Sequence, residues 1–299
     1  MVAILLRWIL LAQVVALLAT GWLLGTVFGI APAAAATICA ALFVAFNSIV
    51  PIMTFAMALR YSFEPIGALK PDRWRIACIA VREWLAFLAL FVVIQPFPRW
   101  WMAPDRVREG GTGRPPLLLV HGFCCNHASW WWFAGRLRRQ GLTVVTVDLE
   151  PPFAGMDELA VVIERRLDEI AAQGHDKVVM IGHSMGGLVA RAFLRRYGTA
   201  RVARLITIGT PHHGTETARL GRGSNSREME PGSAWLCQLA RDGLPDIPVV
   251  SIWSPTDNFI LPQDSSRLTG ARDIVLPGLA HLTMVFSGRM LRTVLRELC

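Results

Sequence analysis

An α/β domain with a mostly parallel sheet, preceded by transmembrane helices, is the fold class this sequence predicts. Three observations predict it. The chain is 53% hydrophobic and only 17% charged, with a mean hydropathy of +0.42, too apolar for an ordinary soluble protein. Its long uncharged runs are concentrated before residue 100. After residue 114, short β-rich runs alternate with helical stripes, the order expected of a parallel sheet with crossover helices. We therefore expect a membrane region at 1–114 and an α/β domain at 115–299.

Trp8 to Ile30 is a run without charge. As a helix it would reach about 34 Å, enough to cross a hydrocarbon core of about 30 Å. A cleaved secretory signal is the rival reading, with Ala33–Ala36 as its cleavage site. The apolar run is too long for a usual signal core, and it resumes beyond Pro32. Residues Ala33 to Leu59 are also uncharged, with Asn47, Ser48 and Pro51 as interruptions that packed spanning helices tolerate. The sequence reads as two spanning helices joined by a tight Gly29–Pro32 turn. Ile76 to Pro98 is ambiguous, because Arg82 and Glu83 lie inside it and Trp84–Pro98 is short for a crossing. Trp74, Trp100 and Trp101 flank it as interfacial tryptophans would.

Formal net charge is +8. The basic residues gather beside the apolar runs: Arg60, Lys70, Arg73 and Arg75 on one side of the third run, and Arg99, Arg106, Arg108 and Arg114 on the other. That placement suits anionic lipid headgroups and not nucleic acid. The expected location is a bacterial inner (cytoplasmic) membrane. With similar charge on both sides of the third run, the side that holds residues 115–299 stays open. Two or three spans are few for a transporter. Gly110, Gly111, Gly113, Pro115 and Pro116 read as the linker.

Beyond the linker, strands are expected at Leu117–Val120, Leu142–Val147, Lys177–Ile181, Leu205–Ile208, Pro248–Trp253 and Asp273–Leu276. Helices are expected at Ala128–Gln140, Asp157–Ala172, Met185–Tyr197 and Thr283–Leu298. Ligands of such sheets gather at the carboxyl ends of the strands.

At one of those ends stands "IGHSMGG". Gly182-His183-Ser184-Met185-Gly186 has the G-x-S-x-G pattern between a strand and a helix. The pattern suits a nucleophile on a tight, strained turn, where Gly182 and Gly186 keep the surroundings small. A serine hydroxyl needs a base, and in such domains the acid and the histidine follow the serine. His281 in "LPGLAHLTM" is the expected base. His212 and His213 in "GTPHHGT" could line the pocket or complete a turn. Asp257, at the end of an apolar strand, is the expected orienting acid, with Asp264 and Asp273 as rivals. Two backbone donors complete the site as an oxyanion hole: the N–H of Met185 and that of Phe123 in the "HGFCCN" loop.

That loop carries two adjacent cysteines. A zinc site there would need about four well-placed ligands. A bridge between Cys124 and Cys125 would strain the intervening peptide. Both thiols are expected to be packing or pocket wall, along with Trp130–Trp132. Six cysteines in all (the others are Cys39, Cys78, Cys237 and Cys299) form no CxxC pair, and no metal is expected.

Taken together, "VHGF", "ASWWWFAGRLRRQG", "GHSMGG", "SIWSPTDNFILPQDSSRLTGARDIVLPGLAHL" and the closing helix resemble the α/β-hydrolase superfamily, in particular the small Bacillus-type minimal lipases and esterases. The resemblance covers residues 115–299. It implies an α/β-hydrolase fold, hydrolysis of carboxylic esters, a Ser184–His281–Asp257 triad and no cofactor. "TPHHG" also looks like the equivalent stretch of larger bacterial lipases. The membrane region is a departure, and so is the length of 212–243, which could form a short cap. The expected partners are an ester or lipid substrate and the membrane. Two alternatives stand beside hydrolysis: acyl transfer by the same triad, and a non-catalytic hydrolase-like binding protein. Oligomeric state is not legible.

Overall fold

In a computed structural model, residues 1–61, 72–105 and 114–298 are described. Glu64, Lys70, Arg106, Arg108, the linker glycines Gly110, Gly111 and Gly113, and Cys299 lie outside them.

Two long helices come first: α1 (Val2–Thr26) and α2 (Pro32–Arg60). Apart from Arg7 and Arg60 near their domain ends, both are apolar on every side, which is the pattern of a helix whose surroundings are apolar all round. Pro32 starts α2, where its missing N–H costs nothing. The pair is stitched by polar contacts: Asn47 Nδ2 donates to Gln13 Oε1 at 3.1 Å, and the Cys39 thiol to the Leu17 carbonyl at 3.4 Å. The third apolar run is α3 (Arg73–Leu88), capped by Asp72, whose carboxylate accepts from the Arg75 amide at 2.7 Å. It continues as a π-helical turn over Ala89–Ile94, and the short α4 (Pro98–Trp101) follows. Three helical stretches, Val2–Thr26, Pro32–Arg60 and Arg73–Ile94, are long and apolar enough to cross a membrane.

The rest of the chain builds a six-stranded sheet: β1 (Leu117–Val120), β2 (Val144–Val147), β3 (Val178–His183), β4 (Val202–Ile208), β5 (Val249–Trp253) and β6 (Arg272–Val275). All pairs are parallel, in the order β2-β1-β3-β4-β5-β6. Between the strands lie α5 (Trp131–Arg139), α6 (Met156–Ala171), α7 (Met185–Tyr197), α8 (Ser224–Glu228) and α9 (Ala234–Arg241). The last helix is α10 (Gly288–Glu297).

The two-residue period of the strands sorts the core into two layers. Leu118, Val120, Val145, Val147, Met180 and Leu205 face α6, α7 and α9. Leu117, Leu119, Ile181, Ile206, Ile208 and Ile252 face α5 and α10. Ala86, Leu90 and Ile94 of the third apolar run belong to this second layer. That run is therefore built into the sheet domain along one face.

Two expected helices are interrupted. The Ala128–Gln140 stretch begins as a 3₁₀ turn over His127–Trp130, and α5 starts only at Trp131. The Asn126 side chain accepts from the Ala128 amide at 3.0 Å and tightens that turn. The closing Thr283–Leu298 stretch is a 3₁₀ turn over Leu282–Phe286 followed by α10. Here the Leu282 and Thr283 amides are bound by the Glu83 carboxylate, and the Ser287 hydroxyl caps α10 by accepting from Met290 at 3.3 Å.

Candidate active site

β3 ends at His183, and the chain turns at once into α7 through Ser184. Ser184 has φ 56° and ψ −129°, a left-handed conformation that costs a non-glycine residue on the order of 1–3 kcal/mol and persists only where its surroundings impose it. The Ser184 amide donates to the Ile208 carbonyl at 2.9 Å, and its carbonyl accepts from Gly187 at 3.1 Å. The flanking glycines are steric requirements. A Cβ on Gly182 would lie 2.5 Å from the Gly187 nitrogen, and one on Gly186 would overlap the Val120 and His121 carbonyl oxygens.

Asp257 follows β5 and is buried. Its Oδ1 accepts from the Phe259 and Ile260 amides at 2.7 and 2.9 Å, which leaves Oδ2 for the His281 ring at Nδ1, 2.8 Å away. His281 follows β6 and is buried too. Burial disfavours charge on its ring. The Asp257 carboxylate outweighs this by charge and by hydrogen bond, Glu83 adds to it, and the His281 pKa is raised above its ordinary value. Asp264 and Asp273 sit elsewhere: Asp264 in a 3₁₀ turn over Gln263–Ser266, Asp273 accepting from the Trp253 indole at 3.0 Å.

A cavity of about 400 Å³ lies at the carboxyl ends of the strands, with Ser184, His281, Gly122 and Phe123 in its wall. A Cβ on Gly122 would stand 2.9 Å from the Ser184 Cβ, so the β1 loop runs directly beside the serine. Neither the Phe123 nor the Met185 backbone N–H has a hydrogen-bond partner among the described residues. Met185 also opens α7, so its amide sits at the positive end of that helix. Cys124 holds φ 53° and both loop cysteines line the cavity as free thiols. Burial pushes each thiol up to about 12, so neither is a thiolate at neutral pH. Among the described residues no cluster of His, Cys, Asp or Glu could hold a metal ion.

His212 does not reach this cavity wall. It is buried between Thr207 Oγ1 at 3.0 Å and Arg191 at 3.4 Å, and burial holds its pKa well below the ordinary histidine value. His213 is absent from the wall as well. His127 pairs with Asp148 at 2.8 Å, and His121 accepts from the Leu149 amide at 3.0 Å; both brace the β1 loop from behind.

Sequence reasoning missed four supports of the site. Glu83 of α3 is fully buried, and its carboxylate accepts from the Leu282 and Thr283 amides at 2.7 and 2.9 Å, immediately after His281. Gln95 holds the β1 loop through Asn126, by bonds of 2.8 and 2.9 Å. Thr54 of α2 accepts from Asn258 Nδ2 at 2.8 Å, while Asn258 Oδ1 accepts from the His281 amide at 3.2 Å. His183 packs its ring 4.6 Å from that of His281 and bonds the His281 carbonyl through Nε2 at 3.2 Å. The available signal was a carboxylate and an amide inside otherwise apolar runs.

Known proteins resemble the sheet domain. A family model described as the alpha/beta hydrolase fold matches residues 115–230. Triacylglycerol lipases of Pseudarthrobacter phenanthrenivorans and Burkholderia plantarii are each 33% identical over 117 residues, 35% of this chain and 35% and 32% of theirs. An epoxide hydrolase 3 of Xenopus tropicalis is 30% identical over 114 residues, 36% of this chain and 30% of that protein. The chain thus spans about a third of the length of these relatives. Among solved structures, the Bacillus licheniformis lipase BlEst2 in mature form superposes with a TM-score of 0.58 at 17% identity, covering 66% of this chain and 97% of that one.

Proposed function

We propose, from the premise that the chain has the α/β-hydrolase fold, that it is a membrane-anchored serine hydrolase of carboxylic esters. One observation carries this reading. His281, bonded to the buried Asp257 at 2.8 Å, lines one cavity with a serine held at φ 56°. In the reaction, Ser184 Oγ attacks the ester carbonyl and His281 Nε2 takes its proton. The charge that forms on the carbonyl oxygen rests on the Phe123 and Met185 N–H groups. His281 then protonates the leaving alcohol. It next draws a proton from water, which attacks the acyl-serine and frees the acid. Asp257 holds the His281 tautomer throughout. The names of the lipase relatives support an ester substrate.

The anchor in this reading is the α1–α2 hairpin. The Met1 amino group contacts the Glu150 carboxylate, and Val2 is buried in the wall that also holds Ser184, so α1 begins at the catalytic domain. α2 comes back to it at Thr54. Two crossings leave the domain on the side where α1 starts. The hairpin turn at Val27–Ala31 bears no charge, and Arg60, Arg73, Arg75 and Arg99, at the ends of helices that meet the sheet domain, fall on the domain's side. By the positive-inside bias this side is cytoplasmic, in a bacterial inner membrane.

The test is labelling of the full chain with a fluorophosphonate probe, together with turnover of a p-nitrophenyl ester. Wild type should take the label and turn over; Ser184→Ala should do neither. Equal labelling of the two would overturn the reading.

A further inference from the structure

The cavity beside Ser184 is not closed by the sheet domain alone. Val2, Leu5, Leu6 and Ile9 of α1 line it, at the i, i+3, i+4, i+7 spacing that puts them on one helical face. Val50 and Met53 of α2 stand beside them, and Phe91 of the π-helical turn lies in the same wall.

Three of these residues face two ways. Leu5, Ile9 and Val50 line the cavity and are also 43%, 40% and 36% exposed. They mark a mouth, and it lies between two helices whose outer surfaces are apolar apart from Arg7, whose Nε folds back to the Ala3 carbonyl at 3.2 Å, and Arg60 at the end of α2. The hydroxyls in the wall are already committed. Thr54 donates to Pro51 at 3.0 Å, Thr215 and Thr217 to the Phe259 carbonyl at 2.7 and 2.6 Å, and Ser226 to Ala218 at 2.7 Å. Away from Ser184 and His281, the wall offers apolar contact and no free hydroxyl.

We propose that the first turns of α1 and the part of α2 around Val50 form an acyl-chain subsite that opens sideways onto the membrane hydrocarbon, so that the ester hydrolysed is that of a lipid lying in the leaflet. This rests on the serine-hydrolase reading above. The lipid's acyl chain passes from the leaflet between Leu5, Ile9 and Val50 and lies along Leu6 and Met53. Its ester carbonyl then reaches Ser184 without crossing water. The gradient with acyl length comes from partitioning: each methylene favours the leaflet over water by about 0.8 kcal/mol, roughly fourfold in an equilibrium constant, and an apolar wall lets the chain leave the leaflet without losing it.

The test uses the full chain in phospholipid vesicles and two esters of one alcohol, palmitoyl and butyryl. The readout is the ratio of their kcat/KM values. Leu6→Trp and Ile9→Trp should lower the palmitoyl-to-butyryl ratio by about tenfold or more. Leu18→Trp, on the exposed surface of α1 outside the cavity, should leave it unchanged. An unchanged ratio in both cavity variants overturns the subsite. The unaltered protein gives a second measurement: kcat/KM should climb with acyl length from butyrate to myristate, and a decline along that series overturns it too. Absence of all turnover, with no phosphonate labelling of Ser184 in the unaltered protein, would strike the serine-hydrolase reading instead.

Discussion

The α1–α2 hairpin and α3 look alike by hydropathy, yet they do opposite things. The hairpin turns large side chains outward along most of its length: Trp8, Leu18, Trp22, Phe28 and Phe46 are all exposed. The third run turns Ala86, Leu90 and Ile94 into the sheet domain and buries a carboxylate against the loop that carries His281. An apolar run can be apolar because lipid surrounds it or because protein does. What separates the two cases is the polar residue inside the run. Asn47 in the hairpin spends its amide on the neighbouring helix, with Gln13. Glu83 and Gln95 in the third run spend theirs on active-site loops. The N-terminal region is thus part of the sheet domain's scaffold at α3 and, at the hairpin, an outward-facing surface except where Val2, Leu6, Met53 and Thr54 meet the cavity.

This contrast can be broken or sharpened in four ways. The largest effect is expected within the sheet domain. Asp257→Asn should lower kcat by about 10⁴, because the His281 tautomer is no longer set. In the unaltered protein the same Asp257–His281 pair governs the pH profile. A raised His281 pKa keeps the ring protonated to higher pH, so it loses its capacity as a base as pH falls. The acid limb of kcat/KM should therefore have its midpoint above about 6.5, the value of an ordinary histidine. A midpoint below that would contradict the pairing.

Next is Glu83→Ala, which leaves the Leu282 and Thr283 amides without their acceptor. Each orphaned amide costs about 1–3 kcal/mol. Phosphonate labelling and ester turnover should fall by about tenfold to a hundredfold as His281 loses its brace. Glu83→Gln, which keeps one acceptor oxygen, should fall between wild type and the alanine variant. Wild-type kinetics in Glu83→Ala would show that α3 only anchors. Asn47→Leu, the matching change in the hairpin, should cost about 0.6 kcal/mol of helix association and leave ester kinetics unaltered. A similarly small effect belongs to the β1 loop. Replacing Cys124 and Cys125 together by alanine should keep turnover within about tenfold of wild type, because the loop works through its backbone. A loss equal to that of Ser184→Ala would make the thiols participants.

Much of the fold could be read from periodicity alone. Met185–Tyr197 is a helix at its expected bounds, and the six strands fall within a few residues of theirs. Local chemistry sufficed there, because a β-run beside a helical stripe is decided by neighbours in sequence. The two interrupted helices were not legible, since their breaks depend on partners: Asn126 is held by Gln95, and the Leu282 amide is claimed by Glu83 about 200 residues earlier in the chain.

The sequence by itself determined the strand–turn–helix around Ser184, because strained backbone and close approach demand glycines at Gly182 and Gly186. It also determined the apolar character of the first hundred residues and the order of serine, acid and histidine. Only the tertiary structure decided which of Asp257, Asp264 and Asp273 stands 2.8 Å from His281. It alone decided that α3 packs inward and that α1 walls the cavity. Composition reports how much apolar surface must leave water. Which apolar or hydrogen-bonding partner receives each group depends on contacts that no local pattern in the chain encodes.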